Sequence, residues 1–280
     1  MKKKQLIGII ITGAVIIAVG VTGMLSNVVG SKIMSKQKET TDSLFNSFMD
    51  MNTSTSVELP DKDFVGIINV VGEISATSSG SWRSSEEYNH DLYMDYVDQM
   101  MESNRNKGIL LYVDSPGGAV YESDELYQKL MEYKEETGRP VWAYFASQAC
   151  SGGYYISMAA DRIYANRNCW TGSIGVIVSL LNCKDLYDKL GIKEIDITSG
   201  ANKAMGALGL ELTDEQYKIL QGLVDEAYDQ FVSIVASGRG LDEAAVRKLA
   251  DGRIYSAKQA KEIALIDEIG SLEDEKAALI

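Results

Sequence analysis

Two glycine-rich junctions constrain this chain more than any other feature: Asp114-Ser-Pro-Gly-Gly118 and Ala149-Cys-Ser-Gly-Gly-Tyr-Tyr155. Each follows an apolar run, Gly108-Ile-Leu-Leu-Tyr-Val113 and Val141 to Phe145, and each opens a helical pattern. Repeated strand-turn-helix units have few destinations. Their strands pair in parallel, and both turns fall at the carboxyl ends of the strands, where α/β sites form. Pro116 lacks an amide hydrogen and the glycines tolerate positive φ, so the first turn can present a bare amide to a cleft. Alone, either junction reads as a plain βα turn. Two together are a stronger signal.

Ser151 sits at the second junction. A serine at a strand-to-helix corner points its hydroxyl out of the turn, and the amide after it can face a developing oxyanion. It is a candidate nucleophile, with an N-cap serine before a glycine-rich helix as the alternative. A Ser-His-Asp triad needs a histidine. The chain has one, His90, in an acidic stretch opening a helix, and it reads as a solvated surface residue. The base for Ser151 is then most simply a lysine deprived of its proton by burial, because a lysine at its ordinary pKa of about 10.4 is charged near neutral pH.

The alternation of elements runs through the chain. Phe64 to Val71 is a β-branched run ended by Gly72 and predicts a buried strand. Ser75 to Ser85, with Trp82, is a loop by composition, and Glu87 to Asn104 has helical spacing. Arg162 to Ala165 predicts a short strand, Thr171 to Ile177 a tight turn leading into another, Cys183 to Leu190 a helix, and Lys193 to Ile197 a strand ending at Ser199-Gly-Ala-Asn-Lys203. Lys203 alone reads as a solvated charge, yet emerging from a strand end it is the best-placed candidate base. Thr213-Asp-Glu-Gln216 is a capping box for a long helix to Ser237, and shorter helices follow over Leu241–Ala250 and Ser256–Leu265.

These motifs, with Thr171-Gly-Ser-Ile-Gly175, Ser237-Gly-Arg-Gly240, Asp251-Gly-Arg-Ile-Tyr255 and Ala264-Leu-Ile-Asp-Glu-Ile-Gly270, occur in the order and spacing of the signal peptide peptidase A family, serine peptidase family S49. The chain resembles its short, single-domain bacterial form over roughly residues 64 to 270. The resemblance implies an α/β fold of the Clp-protease/crotonase type, with repeated ββα units and one N-terminal transmembrane helix before them. It implies a Ser-Lys dyad with Ser151 as nucleophile and Lys203 as general base. By the same resemblance Ser173 is expected to orient the lysine, and Gly118 and Gly152 to donate the oxyanion amides. It also implies a homo-oligomer, an octamer in the family, with the dyad completed between neighbours. Peptides are the expected substrates, above all cleaved signal peptides, and no cofactor or metal is expected.

The remaining composition agrees with that picture. Met1-Lys-Lys-Lys4 precedes an uncharged run from Leu6 to Leu25, and about 20 apolar residues suffice to span a membrane. Residues 1–5 read as a cytoplasmic terminus and 6–25 as a transmembrane signal anchor, with a secretory signal peptide cut at Ala18-Val-Gly20 as the alternative. Residues 26–63 read as a polar stalk and 64–280 as the peptidase domain on the extracytoplasmic side of the cell membrane. A net charge of −13 argues against nucleic acid as a partner. The three cysteines, 150, 169 and 183, have no paired spacing and imply no disulfide. Two rival classes are an acyl-CoA enzyme of crotonase type, which needs neither Ser151 nor Lys203, and an inactive membrane scaffold of the same fold.

Overall fold

The computed structural model describes residues 58–76 and 88–279. The expected terminus, anchor and most of the stalk lie outside the described residues, as do Trp82 and most of its loop. Among the described residues no helix is long and apolar enough to cross a membrane. The described residues form one compact unit.

Among the described residues seven strands make one sheet. Its main path runs β1 (Phe64–Ile74), β2 (Asn106–Gly118), β3 (Val141–Cys150), β4 (Arg162–Ala165) and β7 (Glu268–Ile269), all paired in parallel. The last residues of β3 leave β4 and pair instead with β5 (Trp170–Gly172), which pairs antiparallel with β6 (Ile254–Ser256). This branch places the end of β3, and hence Ser151, under Gly172. The fold class is therefore α/β with a largely parallel sheet, as expected.

The helices are α1 (His90–Glu102), α2 (Val120–Thr137), α3 (Gly152–Ile156), α4 (Lys184–Leu190), α5 (Asp214–Arg239), α6 (Glu243–Leu249), α7 (Ala257–Glu262) and α8 (Leu272–Leu279). In β1 buried Ile68 and Val70 alternate with exposed Ile67 and Asn69, so one face of the strand enters the core. Ile109, Leu111 and Val113 of β2 and Ala143 and Phe145 of β3 join it, under Val97 and Met100 of α1 and Leu126, Leu130 and Tyr133 of α2. A smaller cluster of Leu110, Tyr144 and Tyr164 is joined by Trp142 and by Leu272 of α8. The capping box of α5 forms as read, with Thr213 accepting from Gln216 N–H and Gln216 Oε1 accepting from Thr213 N–H.

Three readings need correction. Asp114 to Gly118 is not a turn after β2 but its continuation, because Asp114, Gly117 and Gly118 stay in register with Val71, Glu73 and Ile74 of β1. Lys193 to Ile197 is not a strand: it is exposed chain, with Ile195 at 80% and Ile197 at 99% exposure. His90 is not a surface residue but is buried, its two ring nitrogens 2.8 Å from Tyr88 Oη and Glu125 Oε2. The tautomer that satisfies both accepts from Tyr88 at Nδ1 and donates from Nε2 to Glu125. That hydrogen bond is the largest influence holding the Glu125 carboxyl below its usual range.

One buried carboxyl works against the fold above about pH 4. Glu275 of α8 is fully buried and neither carboxylate oxygen has a hydrogen-bond partner. Burial pushes its carboxyl up to about 8, with Arg162 pulling weakly the other way. The folded pKa is raised, so the unfolded chain releases its proton first as pH rises. Stability is full below about pH 4 and falls until about pH 8. Glu275→Gln removes this penalty, and thermal unfolding should find the variant more stable on the order of 3 kcal/mol at pH 8 and matched to wild type at pH 4.

Candidate active site

Ser151 links β3 to α3 with φ 51° and ψ −119°, the angles of the first corner of a type II′ turn, where glycine dominates. A serine held there stores on the order of 1–3 kcal/mol of strain. Its N–H donates to Gly172 O (2.9 Å) and its carbonyl accepts from Tyr155 N–H (2.8 Å), which pins the backbone on both sides. The side chain makes no capping hydrogen bond, so the N-cap alternative does not describe it.

The glycines around Ser151 are fixed by contact. A Cβ on Gly118 would collide with the Ile74 carbonyl, and one on Gly152 with Ser123 Oγ. The Gly152 Cβ position also lies 3.3 Å from Gly118 N, so the two amides expected to hold an oxyanion are neighbours. Gly152 is the first residue of α3, and its N–H has no acceptor within the helix. Ser151, Gly118 and Gly152 line a slot of about 20 Å³ floored by Tyr155, Ala227 and Phe231. On the other side Ser151 and Ser173 open on a cavity of about 460 Å³, walled by Val176, Ile177, Val224 and Tyr228. Ser173 also has positive φ (49°), its N–H donating to Arg253 O at 2.8 Å. An adjoining cavity of about 290 Å³ shares Val176, Ile177 and Val224 and extends the apolar path.

The structure thus brings Ser151, Gly118, Gly152 and Ser173 together. It does not bring Lys203 to them within one chain: Lys203 is exposed, on the turn 201–206, and lines neither of the cavities that contain Ser151. His90 lines neither as well. Cys150 is buried beside Ser151, and burial pushes its thiol up to about 11, which keeps it protonated near neutral pH. Among the described residues no group of three His, Cys, Asp or Glu side chains could hold a metal ion.

Sequence reasoning missed the far wall. Asp225 and Tyr228 of α5, and Asp251, reach the large cavity from distant parts of the chain. Asp251 is ion-paired with Arg253, which holds its carboxyl down at about 2, so its charge persists across the working range. The only trace in the sequence was the Asp251-Gly-Arg253 motif.

Comparison with known proteins gives the family of the chain. A model of peptidase family S49 matches residues 133–279, from the last turns of α2 through α8 and including Ser151, Ser173 and Lys203. The chain belongs to peptidase family S49. A Clp protease model matches residues 82–172 of this S49 member. Its relatives include a candidate signal peptide peptidase SppA of Enterococcus faecium, 42% identical over 207 residues, or 74% of this chain and 60% of that one. Protease 4 of Haemophilus influenzae is 32% identical over 75% of this chain and 33% of its own. A chloroplastic serine protease SPPA of Arabidopsis thaliana is 29% identical, again over 75% of this chain and 31% of its own. The chain thus spans three fifths of the first relative's length and about a third of the other two.

Proposed function

We propose that this S49 member is a serine endopeptidase of Clp-protease/crotonase-like fold that works through a Ser151–Lys203 dyad. The observation that carries this reading is Ser151 itself: a serine held where glycine is favoured, excused from capping, beside the amides of Gly118 and Gly152 and open to a cavity walled in part by Val176, Ile177 and Val224. A crotonase-type acyl-CoA enzyme would have no use for that strained serine.

In this mechanism neutral Lys203 Nζ takes the proton of Ser151 Oγ as Oγ bonds the scissile carbonyl carbon. The N–H groups of Gly118 and Gly152 receive the oxyanion, and Ser173 orients the lysine. The amine leaves with the proton from Lys203, and water, activated in turn by Lys203, releases the acyl group. The linked cavities suit an extended apolar peptide, in keeping with remnants of cleaved signal peptides as substrates. We place the chain in the cell membrane through Leu6–Leu25, with the catalytic domain outside.

Lys203 then reaches Ser151 from a neighbouring copy. The segment that carries it exposes Ile177, Leu181, Leu190, Ile195 and Ile197 to solvent, an apolar surface that a second chain would cover, in keeping with a closed ring such as an octamer. The test is hydrolysis of a fluorogenic peptide of small apolar residues by the full chain beside Ser151→Ala and Lys203→Ala. Turnover lost in both supports the dyad, and undiminished turnover in Lys203→Ala removes Lys203 as base.

A further inference from the structure

Three elements that build the site meet at one polar point. Tyr155 Oη donates to Asp124 Oδ1 (2.6 Å), and Gln230 Nε2 donates to both Asp124 Oδ1 (3.0 Å) and Tyr155 Oη (2.8 Å). Tyr155 lies on α3, in the first turn after Ser151 and Gly152. Asp124 lies on α2, which starts just past Gly118. Gln230 lies on α5, which supplies Val224, Asp225, Ala227, Tyr228 and Phe231 to the cavity walls. Below the node α5 is held by apolar packing, with Phe231, Val232 and Val235 buried and the Phe231 ring 4.9 Å from that of Tyr155. Before it, α5 leaves the core, and Leu223 is 57% exposed. Val224, Asp225, Ala227 and Tyr228 sit on that outgoing half, where Tyr228 Oη also donates to Ala250 O (2.9 Å).

We infer that Asp124, Tyr155 and Gln230 form a positioning node that sets the α5 wall of the substrate cavity against Ser151, so that they govern peptide binding without touching the reacting atoms. This rests on the peptidase reading. Gln230 separates a positioning role from a structural one. It is exposed, and removal of an exposed polar side chain ordinarily leaves stability almost untouched. Its hydrogen bonds cross 106 and 75 positions of sequence and join the wall to the nucleophile's helix.

The experiment measures KM and kcat for a fluorogenic peptide, and the unfolding temperature, in the full chain carrying Gln230→Ala, Tyr155→Phe or both. Labelling by a small fluorophosphonate, which reacts in the slot at Ser151 without needing the outgoing wall of Val224, Asp225 and Tyr228, is followed in wild type and Gln230→Ala. The node predicts KM raised about fivefold in each single variant. In Gln230→Ala kcat stays within about twofold, labelling is as fast as in wild type, and the melting point falls by less than about 2 °C. Because both side chains act through one node, the double variant should be no worse than either single one. KM values equal to wild type, or effects that multiply in the double variant, overturn the proposal. A wild type that neither labels nor hydrolyses fails the peptidase reading instead, which is a different result from active variants that match it.

Discussion

Ser151→Ala lowers peptide hydrolysis by at least about 10³-fold, because no nearby group replaces its hydroxyl. Cys150 is the adjacent candidate, but it is buried and its thiol is pushed up to about 11, so it presents no thiolate near neutral pH. The substitution leaves the strained backbone in place, since alanine suits φ 51° no better than serine does. Ser151→Gly loses activity equally but relieves the strain. It should therefore be more stable than Ser151→Ala by about 1 kcal/mol, visible as a rise of about 2–4 °C in melting temperature. Equal melting of the two variants would mean that the turn stores no strain, and a Ser151→Ala enzyme that still turns over would place the nucleophile elsewhere.

Lys203→Ala produces a fall of similar size, and the pair of variants has a second use. Lys203 lies outside the cavities of its own Ser151, so the account has each lysine serve the serine of a neighbouring chain. In a closed ring assembled from equal amounts of Ser151→Ala and Lys203→Ala chains, about a quarter of the interfaces bring an intact serine to an intact lysine. Co-assembled variants should recover about that share of wild-type turnover. A mixture as dead as its components, with mixed rings verified by mass, contradicts the neighbouring lysine.

Much of the site was legible because its signals are local. The junctions at 114–118 and 149–155 announce parallel strands through glycine placement, and Thr213–Gln216 announces α5 through a cap that depends on four residues. What failed depended on distance. Within Lys193 to Ile197, the four residues from Glu194 onward alternate charged and apolar as a strand does, but alternation states only that two faces differ, and among the described residues no strand pairs with it. His90 stands among acidic residues that suggest solvent. Its burial is set by Tyr88 and by Glu125 on another helix. Asp114 to Gly118 looked like a turn because proline and glycines favour turns, while register with β1 kept it extended. The Asp124–Tyr155–Gln230 node has no local signature at all, since its members lie on three helices.

The nucleophilic role of Ser151 underlies every step of the proposed reaction. It is tested most directly by treating the full chain with a fluorophosphonate and mapping the adduct by mass spectrometry. The account predicts a single adduct on the peptide that contains Ser151, absent in Ser151→Ala and formed far more slowly in Lys203→Ala. An adduct on another residue, or labelling of Ser151 that proceeds at the wild-type rate without Lys203, would contradict it.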